Sequence, residues 1–319
     1  MQVQGSVREL WRFPVKSMEG ERVERVRVGS SGIEGDRLWA VRDVRAGTIT
    51  GAKRLPALLR CRARFTHEPA RGEIPPVVVR LPGGEELESG DPELHRQLSE
   101  LGGREVRLSA LPSAAVRAHF RAQQATRAEL RRIFDLGAAE PLPDLSAFPL
   151  GKLLELARYA APPGTYVDAY PLHVVTTATL RELAARSGVE VSTVRLRPTL
   201  LLEVSGSGYA EAGWTRGSLQ CGALVARFEM ATVRCGMPAR EQAGLPADRR
   251  VSAAIARHAD RCVGAYASVV HPGTLTVGDA VRIGVPSPSS LERATARATR
   301  ALVRSALRLL ERALPAGRE

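Results

Sequence analysis

The sequence predicts a β-dominated α+β protein, and three features indicate this fold class. Short segments of alternating apolar and polar residues recur along the chain, which is the pattern of half-buried antiparallel strands. Turns rich in Gly and Pro separate these segments at short intervals, as in small β-barrels. Predicted helices do not alternate regularly with the strands, so a parallel α/β sheet is not favoured. We therefore expect β-barrels with peripheral helices.

Residues 1–120 are predicted to form the first of two β-barrel domains. This domain also contains one helix at residues 91–101, because Asp91 suits an N-cap, Pro92 the first helical position and Gly102 the end. The predicted strands of this domain are residues 3–14, 22–28, 38–43, 48–50, 61–65, 77–81 and 106–108.

A helical, Pro-rich connector is predicted at residues 121–165, before a second β-barrel domain at residues 166–286. Proline-rich segments at 141–149 and 161–164 interrupt the connector, and the helical stretch between them is expected to be short. Helices are predicted in these two segments at residues 114–136, 150–159, 179–186 and 248–258. The helix at 114–136 begins before the connector. The predicted strands are residues 172–177, 199–204, 224–233, 263–270 and 281–285.

Residues 287–319 are predicted to form an amphipathic C-terminal helix, because arginines recur there every three or four positions. One interpretation is a helix docked on the body with a solvated arginine face. The alternative is contact with a membrane surface or a partner. The arginines are Arg293, Arg297, Arg300, Arg304, Arg308 and Arg312, and the apolar positions are Leu302, Leu309, Leu310 and Leu314.

The net charge of +12 favours an anionic ligand. Lys16, Lys53 and Lys152 are the only lysines, and the remaining basic residues are arginine, a skew that resembles a coding bias more than a phosphate-binding surface. Aromatic residues make up 4% of the chain, which argues against a stacking platform for nucleic acid. A small, multiply anionic ligand is favoured instead. With no long apolar run and no leader-like N-terminus, a cytoplasmic protein is expected.

Three short motifs place cations at predicted strand ends. Lys16 and Ser17 follow a proline corner and could face an anion. Arg37 follows a glycine turn, and its planar guanidinium suits phosphate or the edge of a pterin. Arg195 and Arg197 are predicted to share one face of a strand end, because strand side chains alternate. For each motif taken alone, a solvated surface position is the alternative interpretation.

A fourth motif, Thr232–Pro238, carries Cys235 beside Arg234, and a neighbouring cation favours the thiolate that binds metal or attacks. The other cysteines are Cys61, Cys221 and Cys262, and no CxxC pair occurs. We expect those three to be reduced, buried thiols. So few and widely spaced cysteines do not suggest a built-in iron–sulfur domain. A redox enzyme of this kind would therefore need a separate electron donor.

Taken in order, these motifs resemble the MOSC family over the chain up to about residue 283. The MOSC N-terminal β-barrel domain is resembled by LWRFPVKS at 10–17, GIEGDRLW at 32–39 and TGAKRLPALL at 50–59. The MOSC domain is resembled by DAYPLHVVTT at 168–177, RPTLL at 197–201, RC at 234–235 and PGTLTVGD at 272–279. The resemblance implies an N-terminal MOSC-type β-barrel domain followed by a MOSC β-barrel domain.

The resemblance to molybdenum-dependent amidoxime-reducing members of the family implies a molybdenum–molybdopterin cofactor with Cys235 as its metal ligand. It also implies that Asp168 lies near the metal. His173 is a candidate for proton delivery, and a buried, hydrogen-bonded histidine is the alternative. The remaining cofactor contacts that the resemblance implies are Lys16, Ser17, Arg37, Thr177, Arg195, Arg197, Thr199, Arg234 and Tyr266.

The function that follows from this resemblance is reduction of a small N-hydroxylated or related oxygenated substrate. Electrons would come from a separate ferredoxin or a flavin or cytochrome reductase. Two alternatives stay open at this point. One is a metal-free sulfur carrier or transferase with a persulfide on Cys235, and the other is a non-catalytic molybdopterin-binding protein.

Overall fold

The computed structural model describes residues 2–137, 140–287 and 289–313, and the predicted β-dominated α+β fold is confirmed. The strands are β1 Gln2–Arg12, β2 Glu21–Val23, β3 Arg25–Gly29, β4 Gly32–Ile33, β5 Trp39–Asp43, β6 Thr48–Thr50, β7 Arg62–Phe65, β8 Val77–Arg80, β9 Glu86–Glu88, β10 Val106–Ala110, β11 Leu172–Thr176, β12 Leu200–Val204, β13 Ser218–Cys221, β14 Leu224–Val233, β15 Cys262–His271, β16 Gly273–Thr276 and β17 Ala280–Gly284.

The described helices lie mainly between and after these strands. The α-helices are α1 Pro92–Gly102, α2 Arg127–Phe134, α3 Leu150–Arg158, α4 Thr177–Ser187, α5 Thr193–Leu196, α6 Arg249–His258 and α7 Ser290–Ala313. Four short 3-10 helices are Pro56–Arg60, Arg117–Phe120, Ala210–Gly213 and Met237–Ala239.

Seven strands close into one barrel in the order β12-β11-β15-β14-β13-β17-β1, because β1 also pairs with β12. β11 and β12 run parallel, and the other pairs in the ring are antiparallel. Alternate residues of the strands point inward and form the largest core cluster, which includes Leu10, Leu172, Leu200 and Phe228. The barrel gives the protein a rigid frame whose ends can carry loops with functional side chains.

The first strand closes a barrel that is otherwise built from the second half of the chain. Leu10 pairs with Leu200 on one side of β1, and Val3 pairs with Ile283 on the other. A Cβ at Gly5 would lie 2.3 Å from the carbonyl oxygen of Glu203, so only glycine allows this close approach. The N-terminal and C-terminal halves of the chain therefore share this barrel. The residue boundaries of the two domains and of the connector stay predictions.

The rest of the N-terminal half forms a second core around two three-stranded sheets, β10-β5-β6 and β7-β8-β9. Helix α1 covers this core with Leu94 and Leu98, which are fully buried. The Asp91 side chain accepts a hydrogen bond from the backbone N–H of Glu93, as the sequence predicts for an N-cap. The helix is capped at its C-terminus by Gly103 in the left-handed conformation, one residue beyond the predicted end.

The helix predicted at residues 114–136 is much shorter in the structure. Only Arg127–Phe134 is α-helical, and a 3-10 turn covers Arg117–Phe120. The residues between them are extended because the backbone of Ala122 donates to the carbonyl of Arg158. Thr126 then caps α2 by accepting from Glu129. Tertiary pairing therefore overrides the helical tendency of this segment.

Helix α7 lies along the surface with most of its described side chains exposed. Arg304 pairs with Asp144 at 2.6 Å, and Val303 and Leu307 are half-buried. The leucines of the opposite face are exposed, including Leu302 at 73%, so the predicted docking is limited to one edge of the helix. A contact of this apolar face with a membrane surface or partner stays a prediction. The side chains of Leu310, Arg312 and Leu314 lie outside the described part of the chain.

A helix that crosses a bilayer must be both long and apolar, and none of the described helices has both properties to the required degree.

Candidate active site

Most of the predicted site residues meet at one end of the barrel, because the strand ends that carry them are neighbours. The end of β1 lies beside the start of β12, which follows Arg197. His173 on β11 pairs with Tyr266 on β15. The end of β14, which precedes Arg234 and Cys235, pairs with the start of β15. Non-local strand pairing therefore gathers residues that are far apart in the sequence.

Lys16, Lys53 and Asp168 form a cluster of two ammonium groups around one carboxylate. Lys16 Nζ donates to the Asp168 carboxylate and, at 2.8 Å, to the carbonyl oxygen of Tyr166. Lys53 Nζ lies 3.7 Å from Asp168 Oδ2. Burial opposes ionisation of Asp168, but the two lysines hold its pKa well below its usual range. Asp168 in turn raises the pKa of Lys53 to about 12, whereas burial lowers that of Lys16.

Ser17 positions the loop that carries Lys53. Its hydroxyl accepts a hydrogen bond from the backbone N–H of Ala52 at 2.9 Å. A Cβ at Gly51 would lie 2.8 Å from the Ser17 hydroxyl oxygen, so the loop passes close to it only with glycine there. Lys53 was not among the predicted site residues, although it lies within the motif at 50–59. A lysine in a turn has no sequence feature that distinguishes it from a surface residue.

Arg37 and Arg197 both lie against the ring of Phe13. The guanidinium carbons are 5.0 Å and 4.4 Å from the ring centroid, respectively. Arg37 pairs with the buried Asp36, whereas Nη2 of Arg197 is buried without a hydrogen-bond partner in the described structure. Burial, together with repulsion from Arg37, lowers the pKa of Arg197 to about 9. An anion bound between these guanidiniums would offset that electrostatic cost.

Beside Cys235, the guanidinium of Arg234 provides a further positive charge and contacts His173. Arg234 Nη1 lies 3.3 Å from His173 Nε2, and Nη2 donates to the carbonyl of Leu196 at 2.9 Å. Because arginine can only donate, we assign Nε2 of His173 as the acceptor and Nδ1 as the protonated nitrogen, 3.2 Å from the Arg197 carbonyl oxygen. Nε of Arg234 is buried and has no hydrogen-bond partner in the described structure.

The environment of His173 favours a neutral ring that holds Arg234 over one that delivers protons. Burial and the neighbouring Arg234 charge lower the pKa of His173 to about 3. The ring fits only because residue 264 is glycine, with a φ of +87° and a hypothetical Cβ 2.3 Å from His173 Nε2. At neutral pH such a histidine carries no proton on Nε2 to give to a substrate.

We expect His173 to make the fold sensitive to acid. Its pKa is lowered, so below pH 6.5 the unfolded chain takes up a proton that the folded chain does not, and stability falls as the pH falls. The loss should be on the order of 3 kcal/mol between pH 6.5 and pH 4. A His173→Gln variant should lose less stability than the wild type over this range in urea-unfolding titrations. His258→Gln, at an exposed position of α6, serves as the control for a change of histidine to glutamine. Equal acid sensitivity in His173→Gln would contradict this assignment.

Cys235 lies at the end of β14 in a tightly held loop and is half-buried. The backbone N–H groups on either side of it are both used, because Arg234 donates to the carbonyl of Arg261 and Gly236 to that of Ile133. A Cβ at Gly236 would lie 2.8 Å from Cβ of Asp135, so the loop packs directly on the end of α2. The sulfur lies near Lys53, Arg234 and Tyr266, since it contributes to the electrostatic environment that sets the pKa of each of these side chains.

The other three cysteines have surroundings that disfavour a thiolate. Burial raises the pKa of Cys61 to about 12, and burial together with acidic neighbours raises those of Cys221 and Cys262 to about 11. These three thiols therefore remain protonated at neutral pH. Cys235 is the cysteine that lies among the site cations.

Three predicted site residues have other roles in the structure. Arg195 and Arg197 do not share a strand face, because Ser192 caps the short helix α5 and Arg197 ends it with a φ of +51°. The Arg195 guanidinium instead donates to the carbonyls of Pro238 and Pro246, which holds the segment after Cys235. The Thr199 hydroxyl ties β12 to the backbone of His173. Thr177 begins α4, at the far end of β11 from His173.

The charges gathered at this end of the barrel are unbalanced. Five cations, from Lys16, Lys53, Arg37, Arg197 and Arg234, face the carboxylates of Asp36 and Asp168. Glu19 also interacts with Arg197, but it is already paired with Arg62. Two guanidinium nitrogens are buried without partners in the described residues. Buried donors of this kind are costly unless a ligand satisfies them. The arrangement can therefore hold a multiply anionic ligand next to a cysteine sulfur.

Two family models match this chain. The model for the MOSC N-terminal beta barrel domain matches residues 4–121, and the model for the MOSC domain matches residues 162–282. No curated protein matches the chain.

Among solved structures, similarity extends to the YuaD protein from Bacillus subtilis and to YiiM from Geobacillus stearothermophilus. YuaD is 11% identical with a TM-score of 0.42, and the match covers 90% of this chain and 99% of YuaD. YiiM is 10% identical with a TM-score of 0.28, and the match covers 37% of this chain and 55% of YiiM. Similarity at this level carries no argument about function.

Proposed function

Because this chain belongs to the MOSC family, with both an N-terminal MOSC β-barrel domain and a MOSC domain, we propose that it is a molybdenum-cofactor-dependent reductase of N-hydroxylated or related oxygenated substrates. The family is associated with binding of the molybdenum cofactor and with sulfur-carrier roles. The choice between these roles, and the substrate class, depend on the chemistry of the site.

The observation that carries the proposal is the pair of buried, unpartnered guanidinium nitrogens at the end of the barrel that carries Cys235. Nη2 of Arg197 and Nε of Arg234 have no hydrogen-bond partner in the described residues. A molybdopterin cofactor offers what they lack, because it combines an anionic phosphate and a polar pterin edge with a soft metal atom. A persulfide on Cys235 alone would leave the more distant Arg197 unsatisfied. The donor set therefore fits the cofactor better than a bare sulfur atom.

The residues that would hold the cofactor follow from this geometry. Lys16, Arg37, Arg197 and Arg234 would bind its anionic and polar groups, and the Cys235 sulfur would ligate the metal. The bound metal would supply the two-electron chemistry that reduces an N–O bond. His173 fixes the direction of Arg234 through its neutral ring.

Two other side chains near Cys235 can act on the substrate while keeping their protons. Asp168 raises the pKa of Lys53 to about 12. Burial, with a contribution from Asp168, raises the pKa of Tyr266 to about 12. Both groups can therefore donate hydrogen bonds to a substrate oxygen at neutral pH, and Lys53 adds a positive charge. Asp168, held ionised, keeps Lys16 and Lys53 in place.

The proposed reaction consumes electrons, which a donor must supply. Reduction of an amidoxime takes up two electrons and two protons and releases an amidine and water. Among the described residues, no group of three or more His, Cys, Asp and Glu side chains is arranged to hold a metal ion. We propose that a separate ferredoxin or a flavin or cytochrome reductase delivers the electrons.

The proposal is tested by turnover of the cofactor-loaded, full-length protein with a reduced viologen dye as electron donor and an amidoxime as substrate. We expect wild-type protein and Cys262→Ser to form amidine at similar rates, and Cys235→Ser to lose activity by at least 100-fold. A loaded wild-type protein that forms no amidine from any N-hydroxylated substrate would favour a non-catalytic carrier of the cofactor. Labile sulfane sulfur on Cys235 in metal-free protein would favour the sulfur-transfer alternative.

A further inference from the structure

A second basic cavity lies behind the Cys235 loop, with a volume of about 760 Å³. Its walls come from the 3-10 helix Pro56–Arg60, the end of α2 and the segment from Ala239 to Arg249. Five arginines and two acidic residues line it, and they are Arg60, Arg131, Arg132, Arg240, Arg249, Asp135 and Glu241.

The carboxylates balance only part of this charge. Arg249 pairs with Asp135 at 3.0 Å, and Arg60 lies 3.9 Å from Glu241. The other arginines have no carboxylate partner among the residues that the structure describes. Arg131 donates to the backbone carbonyl of Glu140.

Arg240 and Arg132 add further unbalanced charge. Arg240 donates to the backbone carbonyls of Ala52 and Arg132. The guanidinium of Arg132 makes no hydrogen bond or ion pair within the described ranges, and its side chain is exposed. In addition, Nε of Arg60 is buried without a hydrogen-bond partner in the same part of the chain. The cavity therefore holds about three uncompensated positive charges and unused donors.

We propose that this cavity binds a small phosphorylated ligand with two or more phosphate charges, such as a nucleoside diphosphate. Guanidinium groups bind phosphate oxygens through paired N–H donors, and several arginines around one concave surface suit a ligand with linked phosphates. The volume lies within the range of pockets for small molecules, which extends from about 300 to 1,000 Å³.

The cavity is separate from the cationic cluster at Cys235, but the two share structural elements. Arg240 reaches the carbonyl of Ala52, the residue before Lys53, and Asp135 packs on Gly236, the residue after Cys235. None of the cavity arginines belongs to the set that surrounds Phe13, His173 and Asp168. Binding in the cavity can therefore be measured independently of the cofactor contacts.

The experiment is a calorimetric titration of the full-length protein with inorganic pyrophosphate. We compare wild type, Arg132→Glu, Arg197→Met and a matched control, Arg257→Glu, which makes the same charge change at an exposed position of α6 that does not line the cavity. The Arg132 side chain is exposed and makes no hydrogen bond or ion pair within the described residues, so the variant should fold normally, as circular dichroism will check. We expect Arg132→Glu to weaken binding at least tenfold, whereas Arg197→Met and Arg257→Glu retain a binding event of wild-type affinity.

Three results would overturn the proposal. The first is the absence of saturable pyrophosphate binding to the wild type. The second is binding that disappears in Arg197→Met and is unchanged in Arg132→Glu, because the anion would then occupy the Cys235 site. The third is an equal loss in Arg132→Glu and Arg257→Glu, which would reveal a general effect of net charge.

Discussion

Replacement of Arg197 by methionine is expected to weaken cofactor retention by about 10- to 100-fold without destabilising the cofactor-free protein. The reason is that the fold disfavours this charge. Burial and the nearby Arg37 lower the pKa of Arg197 to about 9, and one guanidinium nitrogen has no partner in the described structure. Methionine keeps an apolar contact with Phe13 and removes the buried charge. The substitution should therefore weaken cofactor binding and leave the free energy of unfolding of the cofactor-free protein unchanged.

The measurement compares urea unfolding of cofactor-free protein with molybdenum content after extensive dialysis of loaded protein. Arg195→Met is the matched control two residues away, because its guanidinium is used by the carbonyls of Pro238 and Pro246. That variant should lower the free energy of unfolding by about 1 to 3 kcal/mol. If Arg197→Met were destabilised to the same extent and kept its molybdenum, Arg197 would be a structural residue only.

Replacement of Asp168 by asparagine is expected to lower the free energy of unfolding by about 2 kcal/mol. The substitution leaves the ammonium groups of Lys16 and Lys53 without their carboxylate, and each then repels the other, and the nearby guanidinium of Arg37 repels Lys16. Loss of one partner from a fully buried pair typically costs about 3 to 5 kcal/mol. The value here is smaller because the Asp168 side chain is 35% exposed, and solvent screens part of the interaction.

A double-mutant cycle separates this effect from simple loss of packing. In Asp168→Asn/Lys16→Met the unpaired buried ammonium group is absent, so we expect much of the lost stability to return in urea-unfolding experiments. Strictly additive losses in the double variant would show that the two side chains do not stabilise each other.

Much of the fold could be predicted from the sequence because the deciding features are local. Strand positions follow from alternation, and caps such as Asp91 follow from residue types that satisfy free helix N–H groups. The pairing of β1 with β12 and β17 could not be predicted in this way. Non-local pairing depends on which apolar faces fit together in the folded barrel, and no short pattern in the sequence records it.

The site was predicted only in part, for related reasons. Cys235, Lys16 and Asp168 lie in the recognised motifs, and the structure gathers them at one end of the barrel. Arg195 was predicted to share a strand face with Arg197, whereas Ser192 caps a helical turn that directs the Arg195 side chain elsewhere. Lys53 was missed because its role depends on a loop held by another residue, not on its own sequence neighbourhood.

The role of His173 also depends on tertiary structure. Its low pKa results from burial and from a neighbouring arginine 61 residues away in the sequence. The glycine that makes room for its ring lies on a different strand. Sequence patterns identify a histidine that can titrate near neutrality, but the packing around it determines whether it does.

Binding of a molybdenum cofactor through Cys235 is tested most directly by measuring molybdenum, and the fluorescent pterin released on oxidation, in the protein purified from a host that makes molybdopterin. We expect near-stoichiometric metal in wild type and in Cys262→Ser, and almost none in Cys235→Ser. Wild-type protein without metal or pterin, or Cys235→Ser with its full metal content, would contradict this proposal.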